Sequence, residues 1–223
     1  PYVYLVYTDY YIDKDHNDQI FSKVVRYQFN GKTLVQPKIL LDSIPGKVFH
    51  NGARLAISPD RKLYITTGDI GETKLCQDVT KLNGKVLRIN LDGTIPADNP
   101  FLNNPVWSWG HRNAQGLAFA PNGKLYASEH GPATDDEVNL IKKAANYGWP
   151  NVHGYCDSDN EKAYCADSVI TEPLIAWSPT IAVAGIQYYH HEAIPEWKNT
   201  ILAANMKGRA LRVLDLNKTG DKI

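Results

Sequence analysis

Apolar and polar residues alternate in short runs along the chain, and turn residues separate the runs. The run from Val86 to Leu91 alternates in this way and ends at the turn dipeptide Asp92–Gly93. Short runs of this kind between Gly, Pro, Asn and Asp are typical of strands and hairpins. No long run has the 3.6-residue period of an amphipathic helix, and we expect at most one short helical turn, over 137–145. The pattern therefore predicts an all-β protein.

Two kinds of segment recur at a spacing of 62 residues. Segment 55–64 (LAISPDRKLY) resembles 117–126 (LAFAPNGKLY), and segment 23–29 (KVVRYQF) resembles 85–91 (KVLRINL). A further copy at 210–216 (ALRVLDL) follows the last of these at twice the same spacing. Units of strand, turn and strand repeated at this period are typical of a β-propeller, in which each blade is a four-stranded sheet.

The repeat also predicts the domain organisation. The 223 residues correspond to about 3.6 repeats of this length. A propeller closes on itself, because an open one exposes sheet faces and edges. We therefore expect residues 1–223 to be a single β-propeller domain that covers about four blades of a longer parent. Segment 146–168 departs from the repeat, and we expect an inserted loop there, which is a common location for function.

Composition excludes several classes of protein. The apolar content of 43% is too high for a disordered chain, and no run approaches the about 18 to 20 apolar residues of a membrane span. The 24 basic and 24 acidic residues balance, which gives no reason to expect a nucleic-acid partner. Cys156 and Cys165 could form a disulfide, typical of an oxidising compartment, or all three cysteines, Cys76 included, could be unrelated thiols.

Three segments contain residues that could carry chemistry. His50 and Asp69 each lie at a predicted strand end and could act as a general base with its partner, or could be surface residues. Arg112 and Asn113 lie between glycines, where Arg could bind a carboxylate or stabilise developing negative charge, or could cap loop carbonyls. The acid-rich segment 129–137 suits Ca²⁺, which prefers oxygen ligands, or is a solvated acidic loop.

These segments occur in the order found in the soluble quinoprotein sugar dehydrogenases, the glucose/sorbosone and aldose sugar dehydrogenases that use pyrroloquinoline quinone, and the chain resembles that family. The resemblance is dense over residues 48–153, and the stretches that carry it are 50–55, 59–69, 82–93, 95–100, 110–116, 129–137 and 146–150. It implies a six-bladed propeller, a sugar substrate and an external electron acceptor. It also implies an extracellular or periplasmic location and leaves room for a homodimer.

The resemblance implies a role for each candidate residue. His50 would remove the proton from the sugar hydroxyl as hydride passes to the quinone, and Asp69 would hold His50 in the productive tautomer. Arg112 would stabilise charge on the reacting carbonyl oxygen of the cofactor. The remaining residues are implied for the cofactor (Asn113, His130, Lys74 and Lys207), for the sugar (Asp136), for the Ca²⁺ that polarises the cofactor (Gly131 and Pro132) and for a further structural Ca²⁺ (Glu137, Tyr147 and Asp157).

The main alternative is a non-catalytic extracellular propeller of the same family that serves as a binding or structural module. The combination of His50, Asp69, Arg112 and Asn113 favours the enzyme, because loss of the cofactor would remove the chemical reason for keeping all four. The family's cofactor-binding glutamine of an N-terminal blade and its arginine pair of a late blade have no counterpart in residues 1–223. We therefore expect blades outside this chain to complete the cofactor site.

Overall fold

The computed structural model describes residues 1–12, 14 and 18–223. Within them, fourteen strands form four antiparallel sheets in chain order. The first sheet has β1 (Tyr2–Ile12), β2 (Asp18–Phe29) and β3 (Leu34–Pro45), and the second has β4 (Leu55–Ile57), β5 (Lys62–Thr67), β6 (Lys85–Asn90) and β7 (Val106–Trp109). The third has β8 (Ala114–Phe119), β9 (Leu125–Glu129), β10 (Asp136–Ile141) and β11 (Ile175–Trp177), and the fourth has β12 (Val183–Tyr189), β13 (Thr200–Asn205) and β14 (Ala210–Asp215).

Neighbours in sequence are neighbours in each sheet, which is the up-and-down order of propeller blades. The 62-residue repeat marks equivalent strands: β4 and β5 correspond to β8 and β9. The copies at 85–91 and 210–216 contain β6 and β14, the third strands of their sheets. Since the copy at 23–29 lies in β2, strands β1 to β3 correspond to the second to fourth strands of the second sheet. The all-β prediction and the strands of the repeat are confirmed.

The helical turn expected over 137–145 is wrong, because β10 covers Asp136–Ile141. This strand lies between β9 and β11, and all six of its residues are buried. A strand covered on both faces shows no alternation of apolar and polar residues, so its period is hidden in the sequence. β10 also begins eleven residues earlier than the repeat predicts, because the connection over 130–135 is eleven residues shorter than its equivalent over 68–84.

The segment 146–168 therefore lies between the third and fourth strands of the third sheet. It contains a helix, α1 (Asp159–Asp167), which the sequence pattern did not indicate because none of its residues is buried. A capping box between Ser158 and Glu161 begins the helix, and the Cys156–Cys165 disulfide closes it against the preceding loop. No helix within the described ranges is long and apolar enough to cross a bilayer.

Three apolar clusters hold successive sheets together. Alternate residues of β5 belong to different clusters, since Leu63 and Ile65 pack toward the first sheet and Tyr64 packs toward the third. The third cluster lies between the third and fourth sheets and includes Tyr126 and Ile201. The second and third sheets are thus covered on both faces, whereas the first and fourth sheets retain a face with exposed apolar side chains, among them Tyr2 and Leu211.

A repeated hydroxyl contact reinforces these interfaces. Thr66 Oγ1 in β5 donates to the Ala114 carbonyl at the start of β8, over 3.0 Å. Ser128 Oγ, at the equivalent position of β9, donates to the Ala184 carbonyl of β12. The two hydroxyls therefore fix β8 against β5 and β12 against β9. Both contacts lie at the end of the sheets where the candidate residues are found.

Candidate active site

The predicted site residues gather at one end of the second, third and fourth sheets. His50 precedes β4 and Asp69 follows β5, and in the third sheet Arg112 precedes β8 and His130 follows β9. Since each of these strand pairs is antiparallel, the start of one strand lies beside the end of the next. Lys207 follows β13 at the corresponding end of the fourth sheet. Residues far apart in sequence are thus brought to one edge of the fold.

His50 and Asp69 form a hydrogen-bonded pair. His50 Nδ1 lies 2.8 Å from Asp69 Oδ1, and the Asp69 side chain is buried while the His50 side chain is a quarter exposed. Asp69 Oδ1 also accepts from the Gly71 amide over 2.9 Å, and Asp69 Oδ2 accepts from Trp149 Nε1 over 3.0 Å. Because the carboxylate accepts the proton of Nδ1, the neutral imidazole presents Nε2 as an acceptor, which is the arrangement of a general base.

The backbone at His50 takes a rare conformation. Its φ is 54°, in the left-handed region that non-glycine residues seldom occupy. A side chain at Gly68 would meet the His50 carbonyl, since a Cβ there would lie 1.8 Å from the oxygen. The Asp69 amide next to this glycine donates to the Arg112 carbonyl over 2.7 Å. Sparsely populated conformations are often concentrated at functional sites, where the surrounding structure enforces them.

Arg112 lies beside this pair and is held at both its backbone and its side chain. Its amide donates to Glu129 Oε1, and its Nη1 donates to the His130 carbonyl over 3.0 Å. Its guanidinium carbon lies 5.3 Å from the centre of the Trp149 ring, a cation–π contact. Burial lowers the pKa of His130, while the nearby Asp136 raises it and the positive charge of Arg112 lowers it further. Arg112 therefore presents a fixed positive charge beside the His50–Asp69 pair.

A buried network supports Glu129 from behind. Glu129 Oε2 lies 2.9 Å from His111 Nδ1, and His111 Nε2 lies 2.9 Å from Ser108 Oγ. The His111 ring, fully buried, stacks on Tyr147 with 4.6 Å between ring centres. Glu129 thus accepts from two donors at once and fixes the position of the Arg112 backbone.

Asn113 connects the loops that carry His50 and Arg112. Its Oδ1 accepts from the Gly52 amide over 3.2 Å and from Gln115 Nε2 over 3.1 Å. Its Nδ2 donates no hydrogen bond within the part of the chain that the structure describes, although the residue is nearly buried. An amide donor left without a partner at this edge is suited to a ligand.

The turn at Gly131 and Pro132 presents backbone oxygens. A Cβ at Gly131 would lie 1.8 Å from the Thr134 carbonyl oxygen, so the turn requires glycine. Asp136 is fully buried and braces the turn, since its oxygens accept from the amides of Gly131 over 2.9 Å and Val183 over 3.1 Å. Among the described residues no donor reaches the Gly131 or Pro132 carbonyl. The contact of Asp136 with the sugar stays a prediction.

Glu137 and Tyr147 are buried close to this turn. Glu137 accepts from the Gly154 amide and from Asn139 Nδ2, each over 2.8 Å, and its burial, with the charge of Glu129, raises its pKa to about 8. The Tyr147 hydroxyl donates to the Leu140 carbonyl over 2.6 Å. The predicted ligand Asp157 is exposed, and no group of three or more His, Cys, Asp or Glu side chains suited to a metal occurs in the described ranges.

The two predicted lysines differ in how they are placed. Lys207 Nζ donates to Thr180 Oγ1, and the Thr180 amide donates to the Ala133 carbonyl over 3.2 Å, so Lys207 is linked to the 131–135 turn. Lys74 is exposed in the short 3-10 helix Thr73–Cys76, which follows Asp69. Their contacts with a cofactor stay predictions.

Trp149 and Glu129 are site residues to which the sequence assigned no role. Trp149 is separated from Asp69 by 80 residues, so no spacing in the sequence reveals the contact. The available signals were indirect: Trp149 lies in the matched stretch 146–150, and Glu129 opens the acid-rich segment. Together with Arg112, His130 and the Gly131 turn, these two side chains line one small cleft. The cleft combines the Arg112 cation with the carbonyl oxygens of the Gly131 turn, and Trp149 connects it to Asp69 of the His50–Asp69 pair.

Comparisons with known proteins agree with this chemistry. The family model described as glucose/sorbosone dehydrogenase matches residues 1–223. The chain is 43% identical over 189 residues to quinoprotein glucose dehydrogenase B of Acinetobacter calcoaceticus. The aligned region covers 74% of this chain and 39% of that protein. It is 33% identical over 186 residues to aldose sugar dehydrogenase YliI of Escherichia coli, covering 78% of this chain and 49% of that one.

Among solved structures, the PQQ-bound aldose sugar dehydrogenase of Streptomyces coelicolor superimposes with a TM-score of 0.77 at 35% identity, over 93% of this chain and 60% of that one. The apo aldose sugar dehydrogenase of Escherichia coli gives a TM-score of 0.82 at 27% identity, over 99% of this chain and 66% of that one. The chain spans less than half the length of the two relatives above and about two thirds of these structures.

Proposed function

The chain belongs to the glucose/sorbosone dehydrogenase family, and on that premise we propose that the protein oxidises a hydroxyl of an aldose sugar to the lactone, with hydride transfer to pyrroloquinoline quinone held beside Ca²⁺. The observation that carries the proposal is the His50–Asp69 pair beside Arg112, because these residues combine a base with a fixed positive charge. A sugar hydroxyl must lose a proton as its carbon loses hydride, and a reduced quinone gains negative charge.

The residues present fit this cofactor and cation. Ca²⁺ prefers oxygen ligands, and the Gly131 and Pro132 carbonyls carry no hydrogen bond from the described residues. A quinone that bears carboxylates requires cationic and amide donors, which Arg112, Lys207 and Asn113 Nδ2 would supply. Lys74 and His130 lie at the same strand ends as further candidates. Glu137, Tyr147 and Asp157 are proposed for a structural Ca²⁺, and a cation bound there would hold the Glu137 carboxyl in its ionised form.

The chain's own residues have distinct tasks in this reaction. His50 accepts the sugar hydroxyl proton at Nε2, while Asp69 accepts the hydrogen bond of Nδ1 and stabilises the imidazolium that forms. Arg112, with its amide fixed by Glu129, directs its charge toward the acceptor, and Asp136 would contact the sugar. The bound quinone supplies the two-electron redox chemistry when present.

The setting of this activity is also a proposal. We place the four sheets in a six-bladed propeller, in which further blades would cover the exposed faces of the first and fourth sheets. The Cys156–Cys165 disulfide supports an extracellular or periplasmic location, because disulfides persist in oxidising compartments. An external electron acceptor would reoxidise the cofactor, and a homodimer is the proposed assembly. A non-catalytic binding module is less well supported, since it gives no reason for the hydrogen-bonded His50–Asp69 pair.

A titration of the calcium-loaded protein with pyrroloquinoline quinone, followed by glucose and an artificial dye acceptor, tests the proposal. We expect saturable binding and sugar-dependent dye reduction. Arg112→Ala should weaken both quinone binding and turnover, whereas Arg61→Ala, at an exposed turn between β4 and β5, should change neither. Quinone binding without dye reduction by any aldose, or normal kinetics in Arg112→Ala, would contradict the assignment.

A further inference from the structure

Trp149 contacts both functional halves of the site. Its indole Nε1 donates to Asp69 Oδ2 over 3.0 Å, and its ring lies 5.3 Å from the Arg112 guanidinium carbon. Trp149 comes from the segment between β10 and β11, whereas Asp69 follows β5 of the preceding sheet. One side chain therefore links the carboxylate that orients His50 to the cation beside it.

The indole N–H determines which way the Asp69 carboxylate faces. Asp69 Oδ1 receives His50 Nδ1 and the Gly71 amide, whereas Trp149 is the donor that reaches Oδ2 within the described ranges. The final torsion of an aspartate side chain is broad, so the carboxylate can rotate when one oxygen lacks a partner. Since Asp69 is buried, loss of the indole donor would leave Oδ2 unsatisfied and would favour such a rotation.

Trp149 is itself held rigidly. Its amide donates to the Gly110 carbonyl over 3.0 Å, and its carbonyl accepts from Gln77 Nε2 over 2.7 Å. Gln77 also exchanges two hydrogen bonds with the Asn146 amide, over 3.1 and 2.8 Å. The indole stacks on the His153 ring with 5.0 Å between centres. The donor is thus fixed in place before any ligand binds.

We propose that Trp149 is a positioning residue for sugar oxidation: its N–H fixes Asp69 and thereby keeps His50 in the tautomer with the proton on Nδ1, while its ring supports Arg112. Trp149 acts through these two residues and takes no proton itself. The consequence for catalysis rests on the proposed function, whereas the consequence for the His50 tautomer does not.

Trp149→Phe separates the two contacts, because phenylalanine keeps a ring beside Arg112 and lacks the N–H. In protein labelled with ¹⁵N-histidine, the two ring nitrogens of neutral His50 report its tautomer. We expect the Nδ1–H form in the wild type and a mixture with the Nε2–H form in Trp149→Phe. Trp107→Phe is the matched control, since the Trp107 ring packs on Arg88 and Tyr64 instead, at 4.8 and 5.6 Å. An unchanged tautomer in Trp149→Phe overturns the proposal.

Two further measurements complete the test. In the quinone-loaded enzyme, Trp149→Phe should lower kcat roughly tenfold to a hundredfold, the range for a lost hydrogen bond to a charged group, with unchanged quinone affinity. In the unmodified protein, the Trp149 indole proton should exchange slowly with solvent, and rapid exchange would overturn the proposal without any variant. Failure of the wild type to bind quinone would contradict the proposed function and leave the tautomer result intact.

Discussion

The second and third sheets share a framework but differ at a buried position of their third strands. Thr66 and Ser128 make the same hydroxyl contact to the following sheet. The residue after Thr66 in β5 pairs with Lys85 of β6. The residue after Ser128 in β9 pairs with Glu137 of β10. Lys85 is fully buried and Glu137 nearly so, and a basic and an acidic residue thus occupy equivalent positions.

Each of these buried groups holds the long connection of its own sheet. Lys85 Nζ donates to three carbonyls of the 68–84 connection, those of Leu75 over 2.9 Å, Cys76 over 3.0 Å and Asn83 over 2.5 Å. Glu137 accepts from the Gly154 amide, in the segment between β10 and β11. Burial lowers the pKa of Lys85 to about 8 and raises that of Glu137 to about 8.

The difference shows how one repeated sheet supports two different functions. The hydroxyl residues that join neighbouring sheets are similar in the two sheets. The buried residue beneath the site differs with the connection that it holds: Lys85 donates to carbonyls, and Glu137 accepts from an amide. The same division holds for the site, because His50 in the second sheet and Arg112 in the third occupy positions 62 residues apart. The proposed base and a cation thus stand at equivalent places in successive sheets.

Removal of His50, the proposed base in the second sheet, should have the largest effect. We expect His50→Ala to lower sugar turnover by about 10² to 10⁴-fold, the usual contribution of a general base, and to leave quinone binding nearly intact. Steady-state kinetics and a quinone titration measure the two quantities. His190→Ala, which removes an exposed ring, is the control. Normal turnover in His50→Ala would remove His50 from the role of base.

Removal of the buried lysine should cost stability. Lys85→Met leaves three buried carbonyls without their donor, and we expect the free energy of unfolding to fall by about 2 to 4 kcal/mol. Urea unfolding followed by tryptophan fluorescence gives this value. Lys81→Met, an exposed position in the same connection, should change it little. Equal losses in the two variants would show that Lys85 does not hold the connection.

The pH dependence of the free energy of unfolding is a second test of Lys85. Because burial lowers the pKa of Lys85 from 10.5 to about 8, the unfolded chain binds more protons than the folded chain between these values, and the free energy of unfolding should rise with pH. Between pH 8 and 10 we expect a rise on the order of 1 to 2 kcal/mol relative to Lys85→Met. If the difference in free energy of unfolding between the wild type and Lys85→Met stays constant or falls over this pH range, the prediction is wrong.

Loss of the shared hydroxyl contacts should have the smallest effects on stability, and the two losses should be similar in size. Thr66→Val and Ser128→Ala each remove one hydroxyl contact between sheets, and each should lower the free energy of unfolding by about 1 kcal/mol. The two contacts involve different interfaces, so the losses should add in the double variant. Strong non-additivity in urea unfolding would mean that the interfaces are coupled.

The sequence predicts the strands well where they repeat and poorly where they do not. Segments 55–64 and 117–126 share both their apolar pattern and their turn residues, and both are hairpins in the structure. β10 was missed because both its faces are buried and its register is displaced by the shorter connection. Helix α1 lacks an apolar face, and its one sequence signal is the capping box that Ser158 and Glu161 form.

The candidate site also contains residues that the sequence reveals and residues that it does not. His50, Asp69, Arg112 and Asn113 could be named from motifs, because each lies in a segment with a distinctive local composition. Trp149 and Glu129 act through partners supplied by other strands, so their roles depend on the tertiary structure. The burial of Lys85 was equally hidden, since a charged residue in a predicted strand ordinarily reads as a solvent-facing position.

The arrangement of three apolar clusters, each between two successive sheets, also governs how the chain comes apart. Stability in such a stack is approximately a sum of nearest-neighbour interfaces. Detachment of the first or the fourth sheet disrupts one interface, whereas detachment of the second or the third disrupts two. Within residues 1–223, the sheets that carry His50 and Arg112 are therefore each held by two of these interfaces, whereas the first and fourth sheets are each held by one.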